Sequence, residues 1–411
     1  MQNLNSESGN ELDYLIPDNR DKIVTLGLER ITKFLIDIGC PCKDIPAIQI
    51  AGTNGKGSIA SFLKSSLKAI GIRAGVTTSP HLISWRERIQ VDEELISIEN
   101  FRKIYRFIES KSRYYKLSTF EIIIGIALHY FASKNVELLV LEAGLGGRLD
   151  ATTAHQNRPI IALGRIGLDH CEFLGESIQE ITKEKLAIIG KNSLVISAQQ
   201  DPEVAVLIEK ISRSKNAQIK WVEPLTNNWD LGIPGDIQRE NAAVAKGVLE
   251  GLSTLGWDIK ENKVKEGLSK AKWSGRMERM KWRGKAVLID GAHNPLAAKV
   301  LSLERQKWKG QELGINWILG IQSNKNAPEI IKVLIKQKDL AWIIPIPDNE
   351  SWGINNILDF QPSYSKQLIP AKNIEEALFE IFEDKKLINT TPVISGSLYL
   401  IANALSKGIL A

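Results

Sequence analysis

Apolar residues recur three and four apart from Lys22 to Gly39 (KIVTLGLERITKFLIDIG) and the run stops at a glycine, which predicts an amphipathic helix. The apolar stretch Ile45–Ala51 (IPAIQIA) reads as a strand, and helical spacing returns over Ile59–Ile70. Arg73–Thr78 predicts a short strand; Ile98–Lys116 and Thr119–Ser133 predict helices. Val136–Glu142 (VELLVLE) is a continuous apolar run that ends in a carboxylate, as expected of a strand buried on both faces of a parallel sheet. Gly144–Asp150 reads as a loop, Pro159–Leu163 as a strand and Glu176–Ile189 as a helix.

A second series follows Trp273–Gly284, which reads as a link. Its strands are expected at Ala286–Asp290, Trp317–Ile321, Ala341–Ile346 and Pro392–Ser395. Its helices are expected at Pro295–Lys307, Pro328–Lys336, Ile374–Glu383 and Leu398–Lys407. Alternating strand and helix predicts a parallel sheet with crossover helices, followed by a smaller doubly wound α/β unit.

Composition narrows the class. A chain of 411 residues exceeds what one core usually serves, so two or three domains are expected. The hydrophobic share of 43% and charged share of 25% suit a soluble globular enzyme. A net charge of +5 without a cationic block points to anionic small substrates and away from nucleic acid. Three cysteines (Cys40, Cys42 and Cys171) make no disulfide framework and suit a reducing compartment. The N-terminus lacks a basic-then-apolar signal pattern, and Phe120–Ala132 carries Glu121 and His129 and is too short to span a bilayer. A cytoplasmic protein without membrane attachment is expected.

The chemistry begins at Gly52-Thr53-Asn54-Gly55-Lys56-Gly57-Ser58, between a strand and a helix. Backbone N–H groups and a helix N-terminus converge there and favour an anion. Lys56 adds a cation, and the Ser58 hydroxyl can reach a phosphate or its Mg²⁺, so the segment reads as a triphosphate site. The string departs from G-x-x-x-x-G-K-[ST], and a tight turn that needs small residues is the plain alternative. Further polar groups fall after other strands: Ser79, Glu142, and Asp169 with His170. Glu142, His170 and a hydroxyl make a plausible hard-cation site for Mg²⁺ or Mn²⁺. Taken singly, a glutamate at a strand end is a cap partner and a lone histidine a loop residue. Lys185 carries no local mark and reads as a solvated helix lysine. In the second unit, Asp290 can accept ribose hydroxyls and His293 can contact a base, while Asn294 and Pro295 read equally as a helix start. Arg276 reads as a phosphate contact or a surface linker charge.

Taken together, these strings resemble the folylpolyglutamate synthase/dihydrofolate synthase family of the Mur-ligase superfamily. The resemblance rests on LGLERI, IAGTNGKGS, TSPHL with ERI, TFE and LEAGLGGRLDAT, then IGLDH, ITKEKLAI, WSGRME, LIDGAHNP and SGSLYL, in order along nearly the whole chain. It implies an N-terminal P-loop-type ATPase domain with a mainly parallel sheet over residues 1–280, and a C-terminal Rossmann-like domain over 281–411. It implies ATP on the Gly52–Ser58 loop, with Asn241, Arg276, Asp290 and His293 as nucleotide contacts. Ser79, Glu142, His170 and Lys185 match metal positions for two Mg²⁺ sites, Lys185 as a carbamylated lysine. Phe120, Asp150 and Ala151 match the pterin pocket. Lys56, His170 and Lys185 would be the catalytic set.

The implied reaction joins L-glutamate to dihydropteroate, a (tetrahydro)folate or both, in a monomer. Ile237 stands where the family motif usually has a histidine, and Asn324-Lys325-Asn326 replaces a charged D-K-D segment, which leaves glutamate binding open. A muramyl-peptide ligase of the same superfamily and a slow regulatory ATPase remain as alternatives at this stage.

Overall fold

A computed structural model describes residues 12, 15, 27–308, 311–384, 387 and 390–411. Most of the N-terminal stretch and the first turns of the helix expected from Lys22 therefore lie outside the described residues; the helix is seen over Glu29–Asp37. The chain forms two compact units: residues 1–233 with 238–272, and residues 234–237 with 273–411.

The first unit is built on eight strands. They are β1 (Ala47–Ala51), β2 (Ala74–Thr77), β3 (Ile89–Val91), β4 (Glu94–Leu95), β5 (Leu138–Glu142), β6 (Ile160–Leu163), β7 (Leu194–Ser197) and β8 (Gln218–Trp221). Their order across the sheet is β4-β3-β2-β5-β1-β6-β7-β8. All neighbours run parallel except β2 with β3 and β3 with β4. Every residue of β1, β2, β5 and β6 is buried, which is why these strands read as apolar runs without alternation. Gln49 is the exception in β1. Its side-chain amide donates to the hydroxyls of Thr152 (2.9 Å) and Thr153 (2.7 Å), so the buried polar group is satisfied.

Helices cover both faces. Ile31, Phe34, Ile108, Ile126 and Phe131 pack with Leu139 and Leu141 on one face, and Ile181, Leu186, Val204 and Ile208 continue that layer over Ile161 and Leu163. Helix Ile237–Thr254 lies on the other face, where a Cβ at Gly247 would meet Ile196 and one at Gly251 would meet Leu194. From β1 the chain adds β2 and β5 on one side, then β6, β7 and β8 on the other. The order thus reverses at β1, and at such a switch the C-terminal ends of adjacent strands open a crevice. The helix Lys56–Ile70 leaves that point. Helix Glu261–Lys270 packs against it closely enough that a Cβ at Gly267 would sit 2.2 Å from Ser66 Cα.

The second unit carries β9 (Glu278–Trp282), β10 (Lys285–Ile289), β11 (Asn316–Leu319), β12 (Leu340–Ile343), β13 (Leu368–Pro370) and β14 (Val393–Ser395). Their order is β13-β12-β11-β14-β10-β9, parallel except for β9 on β10. Trp273–Gly284, expected as a link, thus contains an edge strand that turns back through Arg283 and Gly284, both at positive φ. Among the described residues no helix is long and apolar enough to cross a membrane.

Gly267→Ala forces two packed helices apart. It is expected to lower the urea midpoint of the first unit by the equivalent of about 1–3 kcal/mol; an unchanged midpoint would show that the helices separate without cost.

Candidate active site

Three sequence-predicted segments of the first unit lie at the C-terminal ends of the neighbouring strands β2, β5 and β1: Ser79 just after β2, Glu142 as the last residue of β5, and the glycine loop after β1. Loop conformation explains the glycines. Gly55 is left-handed at φ 85°, and a Cβ there would meet Asn241 Oδ1 at 2.3 Å. The loop is tied from below. The N–H groups of Thr53 and Asn54 donate to Arg165 O at 2.8 and 3.3 Å, and Thr53 Oγ1 bonds Gly167.

Arg165 is held in turn by a two-point ion pair with Glu240: Nε to Oε1 and Nη2 to Oε2, each 2.8 Å. Glu240 and Asn241 sit in the first turn of helix Ile237–Thr254. Sequence reading missed Arg165 and Glu240. The only available marks were a glycine-flanked turn after β6 and the acidic neighbour of Asn241.

Two amines converge on one oxygen. Lys56 Nζ donates to Gly52 O (3.1 Å) and Thr53 O (3.1 Å), and Lys185 Nζ donates to Gly52 O at 3.2 Å. Lys185 is buried, so its plain reading as a solvated surface lysine is corrected: helix Ile178–Leu186 turns it inward. Burial, reinforced by the Lys56 charge, pushes its pKa down to about 7, with Asp169 and Asp150 pulling the other way.

Glu142 is buried and its Oε2 accepts the Ser79 N–H at 3.0 Å. His170 is left-handed at φ 53° and half-exposed, and its N–H donates to Asp169 Oδ1 at 2.9 Å. Among the described residues, no three His, Cys, Asp or Glu side chains are placed to hold a metal ion by themselves.

Phe120 packs over Gly144, whose Cβ would lie 2.7 Å from the ring. Asp150 is buried beside the buried Ala151 and organises the same loop, accepting the N–H groups of Gly144 (2.8 Å), Leu145 (2.9 Å) and Thr152 (3.0 Å). Burial raises its pKa against those bonds.

In the second unit, Asp290 follows β10. Its carboxylate accepts the N–H of Met277 (3.0 Å) and of Ala292 (2.9 Å), and burial raises its pKa while Arg276 opposes the shift. His293 Nδ1 lies 2.7 Å from Gly291 O, which places its proton on that nitrogen. A Cβ at Gly291 would come within 3.2 Å of Arg276 Nη1, so Arg276, Asp290 and His293 form one cluster. Asn294 caps helix Pro295–Glu304 through Ala297 N at 2.8 Å, as the helix-start reading predicts.

Residues 275–407 match the family model for the dihydrofolate synthetase C-terminal domain. The chain is 30% identical to dihydrofolate synthetase of Saccharomyces cerevisiae over 413 residues, covering 92% of this chain and 96% of that protein. It is 29% identical to dihydrofolate synthase/folylpolyglutamate synthase of Bacillus subtilis, covering 92% and 94%. A solved structure of Mycobacterium tuberculosis folylpolyglutamate synthase complexed with ADP superposes with a TM-score of 0.83 at 25% identity, over 92% of this chain and 94% of that one.

Glu240→Gln replaces one carboxylate oxygen of the Arg165 pair with an amide that faces a cation. It is expected to reduce stability by about 1–2 kcal/mol, toward the lower end because Arg165 is half-exposed. Thermal unfolding checks this, and a melting curve superimposable on wild type would remove Glu240 from the loop's support.

Proposed function

This chain belongs to the dihydrofolate synthetase and folylpolyglutamate synthase family, and we propose that it is an ATP-dependent ligase joining L-glutamate to a pteroate or folate carboxylate through an acyl phosphate. One observation carries the reading. Lys56 and Lys185 meet on the Gly52 carbonyl, beside a helix N-terminus, where the Lys56 cation and the first-turn amides favour a polyphosphate. The relatives are folate ligases, which favours this reading over a muramyl-peptide ligase or a regulatory ATPase.

A carboxylate is a poor electrophile, so it must first gain a leaving group. An acceptor carboxylate oxygen bonds the γ-phosphorus and ADP leaves; the glutamate amine then bonds the acyl carbon and inorganic phosphate leaves. Lys56 and the first-turn amides of Lys56–Ser58 offset charge between the two anions. Because the Thr53 and Asn54 amides are already bonded to Arg165, they serve to hold the loop in shape. Asn241, packed on Gly55, and the cluster Arg276, Asp290 and His293 are assigned to the nucleotide. Phe120 and Ala151 are assigned to the pterin, with Asp150 holding their loop.

The residues present suit Mg²⁺. Ser79, Glu142 and His170 supply few protein donors, and Mg²⁺ characteristically binds one or two carboxylates plus water and substrate phosphate. When bound, Mg²⁺ neutralises phosphate charge. Lys185 is assigned as the carbamate. Its neutral Nζ bonds the carbon of CO₂ and a proton is released, which turns an amine into an anionic oxygen donor; the depressed pKa makes the neutral amine available near pH 7. Both dihydropteroate and reduced folate are assigned as acceptors, in a monomeric cytoplasmic enzyme.

Purified protein with ATP, Mg²⁺ and glutamate, offered each acceptor separately, should yield a product one glutamyl residue heavier by mass spectrometry. ATP turnover without such a product, from either acceptor, would refute the ligase. For Lys185 the sign follows from its lowered folded-state pKa. Between about pH 7 and the ordinary lysine range near 10.4 the unfolded chain binds more protons, so this group adds stability as pH rises through that window. Lys185→Met should flatten that rise and abolish turnover. A mutant with wild-type rates would exclude the carbamate.

A further inference from the structure

Between β2 and the short 3₁₀ turn Trp85–Arg88, the segment Thr78–Ser84 (TSPHLIS) has almost no slack. Thr78 N donates to Arg88 O at 3.3 Å, Thr78 Oγ1 to Glu87 O at 3.1 Å, and Ser79 N to Glu142. Pro80 has no N–H. Leu82 N reaches Glu87 Oε2 at 2.8 Å, while Ile83 N and Ser84 N reach Glu87 Oε1 at 2.8 and 2.7 Å. The His81 ring packs against Trp85 at a tilt of 56° with centroids 4.5 Å apart, and its Nδ1 accepts Arg88 Nε–H at 2.8 Å.

A helix cap at Ser84 requires only one of those amide bonds. The Leu82 and Ile83 bonds go beyond it: three successive N–H groups form a concavity and the Glu87 carboxylate fills it. A second tie runs through the sheet. Lys64, in the helix that Lys56 begins, donates to Gln90 Oε1 at 2.8 Å, and Gln90 Nε2 donates to Glu87 O at 2.7 Å. The helix bearing Lys56 and the segment bearing Ser79 are therefore joined through the Glu87 backbone carbonyl, a tie that does not involve the carboxylate.

We infer that Glu87 is a positioning residue: its carboxylate, by gathering the amides of Leu82, Ile83 and Ser84, holds Ser79 and His81 in place at the strand ends before substrate arrives. What the held segment does rests on the ligase reading above; how it is held does not. In Glu87→Gln one acceptor oxygen becomes a donor pointing at N–H groups, so the concavity opens while side-chain volume is kept.

Hydrogen exchange by mass spectrometry on the full-length protein should then show peptides containing Leu82–Ser84 exchanging about tenfold faster, with β1 and β5 peptides unchanged. The turnover number should fall by up to about a hundredfold, since small misplacement costs that much, while ADP affinity stays within about twofold. Glu87→Asp, with its charge kept and its reach shortened, should show the same two effects to a smaller degree, and it decides the matter if the glutamine variant does not fold. Unchanged exchange would overturn the inference, and so would fast exchange with wild-type turnover or an ADP affinity that falls in step with turnover. Wild-type protein that makes no glutamylated product would sink the ligase reading instead, and the exchange result would still decide Glu87.

Discussion

Two amines share the Gly52 carbonyl oxygen, and much of the first unit is arranged around that crowding. Two ammonium groups on one acceptor in a buried site repel each other and lose hydration. The fold resolves this by leaving Lys56 partly exposed and burying Lys185, whose proton then comes off near neutral pH. The same pair thus sets a lysine beside an amine of lowered pKa on a single loop. Two exposed lysines could not be told apart in this way.

Such a difference survives only if the loop cannot relax, and its supports come from three separate parts of the first unit. Arg165 supplies the carbonyl beneath Thr53 and Asn54, Glu240 fixes Arg165, and Asn241 fills the space that Gly55 leaves. On the other flank, Glu142 holds the Ser79 amide. All of these sit at or beyond the C-terminal edge of a sheet whose strand order reverses at β1, so topology brings together residues separated by nearly two hundred positions in the chain.

The parallel core was legible because strands buried on both faces are plain apolar runs: IPAIQIA, VELLVLE and PIIAL map onto β1, β5 and β6. Helix Thr119–Ser133 was legible from its helical period, and a capping box between Ser118 and Glu121 fixes its start. The stretch 190–272 resisted pattern reading. Helix Ile237–Thr254 is buried on most sides and rich in alanine and glycine, so it shows little contrast between faces. Strand β9 alternates charged and partly buried residues at an exposed edge and resembled a linker. Lys185 was invisible locally because one lysine looks like another until the burial of its helix is known; only the resemblance singled it out.

Carboxylates in both units share one structural use, which separates scaffold from chemistry. Glu87 gathers three amides, Asp150 gathers three, and Asp290 gathers two, each at the turn that follows or precedes a strand end. For Asp150 and Asp290 burial raises the pKa against amide bonds that favour the anion, and each carboxylate shapes the backbone of its own turn. Lys56 and Lys185 in the first unit, and Arg276 and His293 in the second, stand beside turns anchored in this way. A sequence motif marks anchors and contacts alike, and the hydrogen-bond pattern distinguishes them.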